Sequence, residues 1–124
     1  MKRVLIVGSD TLMREMTASL LADVTAEVSS AKSLAEVKQE CRRGAFDLVI
    51  MLELAPFFDG TEPINILRPS GIRRPELFVF SWQHSERMVL SLFECGVSQY
   101  ITFPINARRV KRKLCEALGL KTAL

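Results

Sequence analysis

The side chains able to do acid–base or metal chemistry here are few and scattered. Asp10 lies three residues beyond the apolar stretch Arg3–Val7. Asp47 opens the segment "DLVIMLEL", Glu53 nearly closes it, and Asp59 stands in the turn-like "PFFDG" that follows. The single histidine, His84, has no acid or nucleophile at motif spacing and reads as a surface residue. Cys41, Cys95 and Cys115 are odd in number and far apart; they suit reduced thiols on apolar helix faces, not a metal site or a disulfide framework. "VGSDTL" has one glycine and makes no phosphate-cradling loop. The segment best placed for chemistry is therefore the end of "DLVIMLEL". A buried strand running into a loop is where α/β folds put reactive groups, yet the residue there is Leu52.

The elements that would position these groups follow from periodicity. "RVLIV" (3–7) reads as a buried strand broken by Gly8-Ser9-Asp10. Leu12, Met13, Met16, Leu20 and Leu21 recur at helical spacing over 11–22, with Asp10 or Thr11 as cap. "AEVSSA" (26–31) is a weaker second strand. Ser33 and Glu36 form a capping box before a helix carrying Leu34, Val37 and Cys41, which Gly44 ends. "FDLVIMLEL" (46–54) does not alternate, so the expected third strand is buried on both faces, as in a parallel sheet. A third helix begun at Thr61 is cut short by Pro69 and Gly71. "ELFVFSW" (76–82) is the fourth strand. A fourth helix capped by Ser85, with Met88, Val89, Leu92 and Phe93 on one face, runs to Gly96. "QYITF" (99–103) is the fifth strand, stopped by Pro104, and Asn106 caps a last helix with Val110, Leu114, Ala117 and Leu118 inward, ended by Gly119.

Five strand–helix repeats joined by short linkers predict one α/β three-layer sandwich, a five-stranded parallel sheet with helices on both faces. The 124 residues, 48% hydrophobic, suffice for a single domain over 1–124 with its core at about 3–118. No apolar run reaches the roughly 18 residues of a membrane span. The four apolar residues Val4–Val7 before Gly8 are fewer than the roughly 7–15 of a signal-peptide core, so a cytoplasmic protein is expected. The net charge of +3 is mild but uneven, because Arg108, Arg109, Lys111, Arg112 and Lys113 crowd the last helix.

Taken in order, "RVLIVGSD", "FDLVIMLELAPFFDG", "LFVFSW" and "GVSQYITFPIN" resemble the receiver domain of two-component response regulators, the CheY-like, flavodoxin-like fold. The resemblance covers about residues 3 to 118 and implies a sheet in the order 2-1-3-4-5. It also implies phosphoryl transfer to an aspartate at the end of the third strand. Two acids after the first strand hold Mg²⁺, and a hydroxyl and a lysine at the ends of the fourth and fifth strands contact the phosphoryl oxygens.

With Pro56 and Asp59-Gly60 fixing the register, this sequence departs from that pattern. The nucleophile position falls on Leu52, the acid pair on Gly8 and Ser9, and the lysine on Phe103 before Pro104; the hydroxyl is kept as Ser81. The resemblance thus points to a degenerate pseudo-receiver without the phosphoacceptor aspartate, not an enzyme, with no cofactor and no metal. Neighbouring acids substitute poorly. Glu53 points to the face opposite Leu52 unless a bulge turns it. Asp10 is more simply a helix cap, and Asp47 lies about 16 Å away along the strand. Leu52 and Phe103, with room left by Gly8, would close the pocket with apolar side chains.

In the family the fourth helix, fifth strand and fifth helix form the output face, and an aromatic residue turns with the hydroxyl; here these are Tyr100 and Ser81. A signalling partner binding that face through Tyr100, Arg108, Arg109 and Arg112, with homodimerisation as one form of it, is the main reading. The plain alternatives are a half-buried tyrosine and a solvated basic helix. Nucleic acid is disfavoured, since no recognition motif accompanies the charge. Two further readings are kept: a small domain binding a nucleotide or flavin at the strand ends, and a true receiver using displaced acids such as Asp10 and Glu53.

Overall fold

The computed structural model describes residues 1–52, 75–82, 85–94 and 96–120. Expectations that fall on Glu53, on Pro56 to Gly60, on the short helix begun at Thr61, and on His84 and Cys95 lie outside them. The described elements are β1 (Lys2–Val7), α1 (Thr11–Ser19), β2 (Ala26–Ala31), α2 (Leu34–Arg43), β3 (Leu48–Met51), β4 (Glu76–Ser81), α3 (Glu86–Glu94), β5 (Gln99–Thr102) and α4 (Ala107–Ala117). Here α3 and α4 are the fourth and fifth helices of the sequence reading.

The strands form one parallel sheet in the order β2-β1-β3-β4-β5. The uninterrupted apolar runs have a direct cause. Leu5, Val7, Val49, Met51, Leu77 and Val79 face one side of the sheet and pack with Val37 of α2 and Leu92 of α3. Val4, Ile6, Leu48, Ile50, Phe78 and Phe80 face the other and pack with Leu21, Val110 and Leu114. Each of these larger side chains contributes about 1.5–3 kcal/mol by leaving water. A strand covered on both faces has no side left for polar residues.

Caps behave largely as the sequence suggests. The Met13, Glu36 and Arg109 amides donate to the side chains of Asp10, Ser33 and Asn106 respectively. The capping box at α2 differs in one detail: the Glu36 carboxylate accepts from the Lys32 amide, one residue before the cap. Two apolar stripes also depart from expectation. α1 stops at Ser19, and Leu12 and Met16 are 64% and 61% exposed. The inward residue of that turn is Thr17, whose hydroxyl is satisfied by the Met13 carbonyl at 2.8 Å. On α3, Phe93 is exposed while Leu92 is buried. In both helices the buried arc is narrower than the apolar one, so periodicity alone overcounts the core.

At the amino-terminal end of the sheet Arg3 acts as a clasp. Its amide donates to Asp47 Oδ2 at 2.8 Å, its guanidinium reaches the Ala45 carbonyl at 3.1 Å and lies 4.6 Å from the centre of the Phe46 ring. This fixes Asp47 as a structural group at the far end of β3 from Leu52. A second tie joins the turn after α1 to α4: Lys111 donates to Asp23 at 2.6 Å and holds its carboxyl below the ordinary carboxylate range. The pair is exposed, so its contribution is small. Cys115 is buried and Cys41 half-buried, and burial pushes both thiols up.

Candidate functional site

The carboxyl ends of β1, β3, β4 and β5 converge at one edge of the sheet. The Leu52 amide donates to the Val7 carbonyl at 2.8 Å, extending the β1–β3 ladder one residue past β3. This sets Leu52 beside Gly8. The Leu52 side chain is 1% exposed and belongs to the apolar cluster of Ile6, Ile50 and Phe80, against which Phe103 also packs. The approach to Gly8 is close: a Cβ added there would lie 3.1 Å from Leu52 Cβ and 3.3 Å from its Cδ1. Glycine at position 8 and leucine at position 52 are thus fitted to each other.

Ser81 ends β4 and is buried; its carbonyl accepts from the Phe103 amide at 3.0 Å, which ties the ends of β4 and β5. The Phe103–Pro104 peptide is cis. Phe103 makes an edge-on contact with Phe80, with centroids 6.3 Å apart. Trp82 also lies against Phe103, with centroids 4.9 Å apart, and remains 63% exposed. An aromatic stack, buried at Phe80 and open at Trp82, therefore occupies the corner where β4 and β5 end.

Arg14 was not singled out from the sequence. It lies one turn into α1, and its guanidinium donates to the Gly8 carbonyl at 2.5 Å and to the Thr11 hydroxyl at 3.2 Å. A cation is thereby fixed beside the acid-pair position. No spacing rule could have flagged it, since the contact depends on how β1 hands over to α1. Ser9 and Asp10 are exposed, and Asp10 spends an oxygen on the Met13 amide. These residues do not fit a divalent cation: there is no carboxylate at position 8 or 9, and a guanidinium sits next to the place. Among the described residues no group of three acidic, histidine or cysteine side chains could hold a metal ion.

Farther along the same side, a groove of about 410 Å³ runs between β5 and α4, lined by Tyr100, Thr102, Ile105, Arg109 and Lys113 among others. Tyr100 is half-buried. Arg108, Arg109 and Arg112 are exposed on α4, while Lys111 is engaged by Asp23 and Lys113 reaches toward Gln99 at 3.5 Å. The basic helix is thus partly tied down, with three arginines left open to solvent.

A five-stranded parallel sheet in this order, with strand ends gathered at one edge, is the architecture of CheY-like signalling domains. The family model for the response regulator receiver domain matches residues 4–115, and the chain belongs to that family of two-component signalling modules. The chain is similar in structure to a CheY-like receiver domain protein from Methanospirillum hungatei, with a TM-score of 0.79, 26% identity and coverage of 96% of this chain and 94% of that one. It also resembles the chemotaxis response regulator CheY4 of Vibrio cholerae, with a TM-score of 0.80, 21% identity and coverage of 95% and 99%. In sequence it is 34% identical over 64 residues to the transcriptional regulatory protein PcoR of Escherichia coli, which is 52% of this chain and 28% of that protein. The chain thus matches little more than a quarter of that relative's length. Among the described residues no helix is long and apolar enough to cross a membrane.

Proposed function

We propose that this is a receiver that has given up aspartyl phosphorylation and signals by protein–protein contact, without catalysis of its own. The observation that carries the reading is the packing of Leu52 against Gly8: the nucleophile position is an enclosed leucine, and one acid position is a glycine where a Cβ would press on Leu52 at 3.1 Å. Arg14 adds a fixed positive charge where the family's chemistry needs Mg²⁺. Phe103 and Trp82 replace the lysine's charge with a ring stack. Attack on a phosphoryl group needs a nucleophile, and Leu52 supplies none. The Asp10 carboxylate gives an oxygen to its cap, which weakens it as a displaced acid.

The output would pass through α3, β5 and α4, where Ser81 and Tyr100 are retained and the exposed Arg108, Arg109 and Arg112 can steer an acidic protein surface. The partner is a protein of a signalling pathway rather than nucleic acid. The deciding experiment is incubation with acetyl phosphate and Mg²⁺ followed by intact mass with and without acid treatment. The expected spectrum is unchanged. An acid-labile phosphoryl adduct would overturn the proposal.

A further inference from the structure

The edge of the sheet remote from β5 carries a second surface. Among the described residues β2 is paired on one side only, by β1. The Gly8 amide donates to the Ala31 carbonyl at 3.0 Å, so in the parallel ladder Glu27, Ser29 and Ala31 turn their backbone groups toward β1, and Val28 and Ser30 turn theirs outward. Exposed edges are commonly guarded by lysine, proline or a bulge. The strand Ala26–Ala31 has neither residue, keeps an unbroken register with β1, and bears a single charge, Glu27. Val28 is 36% exposed.

Beside this edge lies a groove of about 200 Å³ lined by Val28, Ser29 and Ser30 of β2 and by Thr11, Arg14, Glu15 and Ala18 of α1. The α1 residues are disposed symmetrically about a point between positions 14 and 15. A two-fold axis there brings Arg14 opposite Glu15 of a second copy, and Glu15 opposite its Arg14, with Thr11 facing the small Ala18. A two-fold centred on Ser29 pairs Val28 with Ser30 of the second copy, the two residues whose amides and carbonyls point outward. Arg14 makes its two contacts through its terminal nitrogens, and the guanidinium has donors to spare. Glu15 is exposed. Backbone polarity at β2 and charge on α1 are therefore each self-complementary, which is what an isologous contact requires.

We propose that a second copy of this chain docks here, β2 antiparallel to β2 and α1 beside α1, making one sheet continuous across both copies. This surface is independent of phosphorylation and leaves β5 and α4 of each copy free at the outer ends.

Sedimentation of the full chain over a concentration series, at low and high salt, tests it. The expected result is a concentration-dependent dimer that weakens with salt as the Arg14–Glu15 pairs are screened. Val28→Pro removes an outward amide that the internal ladder does not use, so the melting temperature should hold while dimerisation weakens about tenfold or more. Glu15→Arg should do the same, and Arg109→Glu at the opposite edge should leave the dimer intact whatever it does to partner binding through α4. If Val28→Pro lowers the melting temperature, Val28→Lys takes its place. A chain that stays monomeric throughout, a dimer that survives both β2-side changes, or one that Arg109→Glu dissolves overturns the proposal.

Discussion

Leu52→Asp should lower stability by about 3–5 kcal/mol and still yield no phosphoacceptor. The expected loss has two parts. Leu52 is enclosed among Ile6, Ile50, Phe80 and Phe103, and emptying such a site to alanine size costs about 2–5 kcal/mol by itself. A carboxylate placed there also loses water, while the Gly8 amide is engaged by the Ala31 carbonyl and the Arg14 guanidinium is held on the Gly8 carbonyl. Urea unfolding of wild type, Leu52→Ala and Leu52→Asp separates the parts. At neutral pH the aspartate variant should be the less stable of the two. Burial raises the folded-state pKa of the introduced carboxyl above its unfolded value of about 3.9, so its penalty is present above the folded pKa and fades as pH falls through it. The gap between the two variants should therefore narrow toward acid pH. An aspartate variant as stable as wild type, or one that takes up phosphoryl from acetyl phosphate, would mean that the pocket opens readily.

Gly44→Ala should cost about 1–3 kcal/mol through its backbone alone. Gly44 ends α2 at φ 153° and ψ 170°, a region that side-chain-bearing residues avoid. An added Cβ would also collide with Nη1 of Arg3, which is drawn in to the Ala45 carbonyl and the Phe46 ring. A double-mutant cycle with Arg3→Ala divides the effect: strain in the backbone persists without the guanidinium, whereas steric displacement of the clasp does not. A Gly44→Ala protein with an unchanged unfolding midpoint would refute both contributions.

The sheet was legible because burial on two faces leaves its mark in unbroken runs such as "VLIV" and "LVIM", and because Asp10, Ser33 and Asn106 announce their helices through local capping chemistry. What periodicity could not supply was how wide a face each helix buries. Leu12, Met16 and Phe93 fit an apolar stripe by spacing yet stand in solvent, since the sheet beneath covers a narrower arc. At the site, Gly8, Ser9, Leu52, Ser81 and Phe103 stand at or just past the carboxyl ends of β1, β3, β4 and β5, as the strand boundaries read from the sequence imply. The contacts were not. That Arg14 turns back onto Gly8, that Trp82 leans on Phe103, and that Gly8 and Leu52 fit together are facts of side-chain direction across elements distant in sequence.

Trp82 is the only tryptophan in the chain. Its placement on Phe103, half in solvent and at the mouth of the closed pocket, makes the intrinsic emission of the whole protein a signal from this one corner. Global and local events can thus be told apart optically without a label. A ligand or protein that covers the corner shifts the emission toward the blue, whereas one that engages only the β2 edge leaves it where it was.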